Sequence, residues 1–312
     1  MSFTVVPIHN LDLPPGTRVP FGKYFVLQDV PGWLLKDDLI MTDIGRTDRH
    51  LTQAAKHAWV SEYYANCLGY SDPDWAGPKE RSIQKMRFQS AFLANMAIWL
   101  IQPSDVCFTI GFHAMTALEG REHIDPPIIM NTDRTGTYYC HPRYTHNQVT
   151  TNQIIRAAEL YALLEIVPRK NAVWAALRAF SAALLSYYPE YRYPLFWQGL
   201  ESLFSSDTKW WKVTERLCDR ISYFLADNDA DQQKLSTMVN DCYKIRSNIV
   251  HGGWDEEPEI EDRMADTENI VRTVVRHILM KPEMIAPFLS QKRDDFLEAW
   301  VQSKSYAPPL TH

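Results

Sequence analysis

The stretch DCYKIRSNIVHGG, residues 241–253, carries Arg246 and His251 on the last turns of a helix that Gly252 and Gly253 close. A histidine titrates near neutral pH and can take up or release a proton, and a guanidinium fork binds an oxyanion through paired N–H groups. Together they suit proton transfer beside developing negative charge. The plainer reading is a helix ending, because Arg and His favour the exposed carbonyl pole of a helix and cap it.

Spacing sharpens the choice. Leu235, Met238, Val239, Cys242, Ile245 and Ile249 follow three- and four-residue steps and read as a core stripe over a helix at 231–250. Arg246 falls about 100° away from that stripe, on a flanking one with Val239, Tyr243 and Val250. A cation among such neighbours suggests an interface with another helix or another subunit. His251 follows Asn248 by three residues and Ser247 by four, so these polar groups share a face at the helix end. Arg246 and His251 themselves stand about 140° apart around an ideal helix and so flank a groove. Two-fold packing of the helix against its own copy would bring two such pairs into one cleft.

The elements around this helix are helical from about residue 150 onward. VTTNQIIRAAELYALLEIV opens on threonines fit for an N-cap, and NAVWAALRAFSAALLSYY has an apolar face and stops at Pro189. Pro194 suits the first turn of PLFWQGLESLF, and Asp207 suits the cap of TKWWKVTERLCDRISYFL. TENIVRTVVRHILM and a pair of helices around EMIAPFLSQKRDDFLEAWVQS complete a bundle, with His277 as a dipole partner at a helix end. The first 125 residues are mixed: strands at 3–8, 23–30 and 106–118, and helices at 48–68 and 79–101. The expected class is therefore an α+β N-terminal region (1–125), a linker or long loop (126–149) and an all-α bundle (150–312).

Composition excludes several classes. A formal net charge of −6 argues against a broad nucleic-acid-coating surface and leaves room for a local basic cleft. Lys209, Lys212, Arg216 and Arg220, at helical spacing, offer either a phosphate-tracking stripe or a solvated face. No window approaches the ~20 apolar residues of a membrane span, and the opening residues carry no basic stretch leading into an apolar run. The five cysteines (67, 107, 140, 218 and 242) form no disulfide framework, which suggests a cytoplasmic location. Cys140, His141 and His146, with Cys107 or His123, match no standard zinc spacing, and neither metal nor cofactor is expected.

The combination LYALLEI, FWQGLESLF, VTERLCDRISYFL and VNDCYKIRSNIVHGG resembles the HEPN superfamily, and within it the ApeA-like HEPN domains. The resemblance rests on R-x4-H as Arg246 to His251, on Tyr243 before the arginine, on the Gly-Gly stop, and on W-x-x-L-E-x-L-F with Trp197, Leu200, Glu201, Leu203 and Phe204. It covers roughly residues 150 to 300. It implies an all-α bundle, often dimeric, and a metal-independent endoribonuclease of anti-phage defence or stress response. In that role His251 is the general acid/base and Arg246 stabilises the phosphate oxygens. Asn248 or Ser247 orients the imidazole or a phosphate oxygen, and Tyr243, Glu201 and Lys244 support the substrate. The implied partners are an RNA substrate, a second copy through the bundle and a regulatory or phage-derived trigger. A catalytically idle dimerisation or nucleotide- or RNA-binding module is the alternative.

Two departures stand out: Ser247 occupies a position where active members often carry Asn, Asp or His, and Gly253 one where toxins paired with a nucleotidyltransferase often carry Tyr. The acidic run Asp255, Glu256, Glu257, Glu259, Glu261 and Asp262 reads as a solvated loop or a gate. Glu201 is either a buried partner of Arg246 or an exposed edge residue.

Overall fold

The computed structural model describes residues 2–22, 25–29, 66–72, 80–108, 110–114, 128–131, 148–205, 213–253, 257–290 and 293–304. The chain divides into two compact units, Met1–Glu165 and Ile166–His312.

In the first unit an antiparallel sheet is built on β1 (Ser2–His9), which pairs with β4 (Asn66–Asp72) on one side and β6 (Ile110–Ala114) on the other. β2 (Arg18–Phe21) and β3 (Phe25–Asp29) extend the β4 side, β7 (Ile128–Asn131) extends the β6 side, and β5 (Cys107–Phe108) also pairs with β1. Along β2 the side chains alternate exposed and buried, as expected of a strand with one face on a core. Phe21 is fully buried and meets Tyr161 of α2 (Thr151–Glu165) edge-on, ring centres 5.7 Å apart. Gly22, at φ +61°, turns the chain so close to α2 that a Cβ there would stand 2.6 Å from Glu165 Oε2. α1 (Glu80–Ile101) packs on α2, and the apolar segment from Leu93 to Ile101 is buried around nearly its whole circumference. α2 starts in a capping box: Thr150 N–H donates to Gln153 Oε1 (2.8 Å), and Gln153 N–H donates back to Thr150 Oγ1 (3.4 Å).

Several boundaries differ from the sequence reading. Residues 128–131, inside the expected linker, form β7, and residues 66–68, expected to end a helix, open β4; most of the expected helix at 48–68 lies outside the described residues. α2, expected to head the bundle, belongs with the first unit.

The second unit is a helical bundle. It comprises α3 (Ala172–Leu185), α4 (Pro189–Phe204), α5 (Val213–Leu225), α6 (Asp229–Val250), α7 (Glu257–Met280), α8 (Pro282–Leu289) and α9 (Arg293–Lys304). α4 lies in the middle, against α3, α5, α6 and α7. Its Tyr193, Phe196, Trp197, Leu200, Leu203 and Phe204 are all buried without residue. α4 begins at Pro189, five residues before the expected Pro194, which lies inside the helix. The reason is visible at its start. The buried Arg192 donates to the carbonyls of Ala183 (3.3 Å), Ser186 and Tyr187 (3.1 Å), closing the end of α3 and fixing the turn that leads into Pro189.

The α3–α4 seam depends on Gly199, where a Cβ would stand 2.0 Å from Phe180 Cε1. Phe180 is itself fully buried and cannot withdraw. Gly199→Ala is therefore expected to destabilise the fold by about 1–3 kcal/mol through overpacking, measurable as a lower midpoint in urea.

α7 begins at Glu257, so part of the acidic run forms its first turns and is not a loop or gate; Asp255 and Glu256 lie outside the described residues. Carboxylates at a helix start complement the positive pole of the dipole, which is why such a run can be helical. Arg220 donates to Phe204 O at the end of α4 (2.5 Å) and pairs with Asp294 and Glu298 of α9, and Arg216 pairs with Glu298. These two arginines clamp α5 to α9 and do not form a phosphate-tracking stripe; Lys209 and Lys212 lie outside the described residues. No helix among the described residues is long and apolar enough to cross a membrane.

Candidate functional site

α6 starts on Asn228, whose side chain accepts from Asp231 N–H at 3.0 Å, and ends after Val250. The end is a Schellman motif. His251 is the cap residue, Gly252 takes φ +80°, its N–H donates to Ile249 O (3.2 Å), and Gly253 N–H donates to Asn248 O (2.9 Å). The left-handed conformation at 252 is the physical reason for glycine there. His251 contributes its backbone N–H to Ser247 O at 3.1 Å, and its side chain is exposed.

The face that α6 buries is rotated from the expected one. Val239 and Cys242 are fully buried, whereas Leu235, Met238, Ile245 and Ile249 are only half-buried. Arg246, one turn beyond Cys242, therefore lies near the centre of the packed face and not about 100° from it. It turns toward α4. Arg246 Nη2 stands 2.9 Å from Glu201 Oε1, with 23% and 26% of the two side chains exposed. Its guanidinium carbon lies 5.5 Å from the centre of the Tyr243 ring, and Tyr243 meets Trp197 edge-on at 5.0 Å and 87°. Below this layer Tyr193 Oη donates to Cys242 O (2.8 Å), and Thr267 Oγ1 of α7 lies 3.1 Å from the same phenol oxygen. Tyr193, Trp197 and Glu201 thus bind α4 to Cys242, Tyr243 and Arg246 of α6, one turn after another.

Burial pushes the Glu201 carboxyl above its usual range, and the charge of Arg246 pulls it back only in part. Burial raises Cys242 as well and pushes the Cys218 thiol up to about 12, so both are inert packing groups. His277, expected to partner a helix dipole, lies against Phe224 with ring centres 4.8 Å apart. It stands in the last turn of α7, as expected, and burial, with Lys281 and Lys304, holds its pKa below the ordinary value.

The expected site residues thus separate into two groups. Glu201, Tyr243 and Arg246 form one half-buried cluster. His251 and Asn248 are exposed at the helix end, Ser247 is half-buried, and Lys244 is exposed and paired with Asp241 at 3.1 Å. Arg246 is half-buried on the packed face, whereas His251 is exposed at the cap. Sequence reasoning named no role for Tyr193 and Thr267, although Tyr193 lies one turn before Trp197 on the apolar face of α4. Cys140, His141, His146 and His123 lie outside the described residues, among which no group of three or more His, Cys, Asp or Glu could hold a metal ion. No protein-family model, curated protein or solved structure matches the chain.

Proposed function

We propose that the C-terminal helical unit is a HEPN-type endoribonuclease that cleaves RNA without a metal ion. The observation that carries this reading is the division of labour on α6: an exposed imidazole at the helix end, and an arginine fixed by the Tyr243–Trp197 pair on the adjoining face. In the reaction the ribose O2′ loses its proton to a base and forms a bond to phosphorus. The P–O5′ bond breaks, and O5′ receives a proton. The products carry a 2′,3′-cyclic phosphate and a 5′-hydroxyl. His251 moves the protons and Arg246 holds the charge that grows on the non-bridging oxygens. One imidazole cannot act on both sides of the phosphorus at once, so the reading calls for two copies of the bundle, each contributing a His251. It further places the protein in the cytoplasm, in anti-phage defence or stress response, with the first unit receiving a trigger.

The pairing of Arg246 with Glu201 favours a second reading, an idle bundle that serves for dimerisation or RNA binding. Incubation of the protein with total RNA in EDTA separates the two. Cleavage that leaves cyclic-phosphate ends, and that is lost in both Arg246→Ala and His251→Ala, is expected for the nuclease. Binding without cleavage is expected for the idle module.

A further inference from the structure

Glu201 stands where a substrate phosphate would stand on Arg246. A carboxylate and the two non-bridging oxygens of a phosphodiester present the same kind of acceptor edge to a guanidinium. The contact with Glu201 engages one terminal nitrogen, and Arg246 Nε is buried with no hydrogen-bond partner among the described residues, so the fork is incompletely used. The guanidinium has a second support besides the carboxylate. It lies on the Tyr243 ring, and that ring is held by Trp197, a fully buried residue at the centre of the bundle.

Glu201 joins α4 to Arg246 of α6 at an electrostatic cost to its own carboxylate. For this carboxyl the cost of burial exceeds the attraction of Arg246, the charged neighbour that acts on it among the described residues. A group whose folded-state pKa is raised makes the fold less stable as pH rises from about 4.5 through the raised value. Glu201→Gln keeps the shape of the side chain and an amide oxygen that can still accept from Arg246, so the variant should fold like the parent.

We propose that Arg246 is a phosphate-binding site whose resting occupant is the Glu201 carboxylate, an internal latch that an incoming phosphodiester must displace. This rests on the reading of Arg246 as the phosphate-holding group. It adds that the resting bundle is held weakly active by its own carboxylate, and that a trigger or partner which moves α4 relative to α6 by the length of one hydrogen bond would free the site.

Inorganic phosphate, titrated at constant ionic strength into the full chain while thermal unfolding is followed, tests the latch directly. The expected result is a phosphate-dependent rise in melting temperature for Glu201→Gln that corresponds to affinity about tenfold tighter than the parent's. The rise should vanish in Glu201→Gln/Arg246→Met, a double variant that leaves no stranded carboxylate and keeps an apolar stem over Tyr243. No gain in Glu201→Gln, or a gain that survives the loss of Arg246, overturns the latch. RNA cleavage is measured on the same proteins. Phosphate gained through Arg246 with no cleavage by any of them leaves the latch standing and removes the nuclease reading, so the two ideas fail separately.

Discussion

On the nuclease reading proposed above, His251→Ala should fold like the parent and cleave RNA about 10²–10⁴-fold more slowly, the range that a positioned proton-transfer group commonly supplies. The structure explains why the two effects separate. The imidazole is exposed, and the cap that ends α6 is made by the backbone of residue 251 and by the glycines that follow. An exposed side chain away from the core can commonly be truncated within about 0.5 kcal/mol of stability. Single-turnover cleavage rates and a melting curve on one preparation check both halves. A variant that melts normally and cuts at the parental rate would remove His251 from the chemistry.

Trp197→Ala should destabilise the bundle by about 3–5 kcal/mol. The indole is wholly buried on the central helix, and its loss leaves a cavity beside Tyr243. For a chain of this size each 1 kcal/mol is worth about 2–4 °C, so a fall of roughly 10 °C in melting temperature is expected. The same ring holds Tyr243 edge-on, and Tyr243 carries the guanidinium. Trp197→Phe separates packing from positioning. It should recover much of the stability, while a shorter ring leaves Tyr243 less well held and Arg246 less well placed. Equal recovery of stability and of phosphate binding in Trp197→Phe would show that the tryptophan serves packing alone.

Much of the bundle was legible because burial in helices writes itself into the sequence every three or four residues. The glycine stop after His251 and the cap at Thr150 were legible because each is a local hydrogen-bond problem with a local solution. What escaped depended on partners distant in sequence. Ile245 and Ile249 look like core and are half-buried, whereas Val239 and Cys242 define the packed face; apolar character alone does not say which of two adjoining stripes meets a neighbour. The start of α7 was hidden by carboxylates that resemble a loop until the helix dipole is considered. Arg216 and Arg220 resembled a solvated or phosphate-binding face because their acidic partners lie on α9, about 80 residues away. The Glu201–Arg246 contact could be posed as one of two possibilities from the W-x-x-L-E helix, and only the placement of α4 against α6 selected between them.

The Schellman end of α6 has one more consequence. Many sites that act on phosphoryl or acyl groups gather the anion in an oxyanion hole of free backbone amides at a helix start. Here the amides of residues 251, 252 and 253 are already bound to the carbonyls of Ser247, Ile249 and Asn248, and the helix presents its negative pole. No such hole exists among these three amides. The end of α6 thus differs from an anion-binding helix start in both its free groups and its polarity.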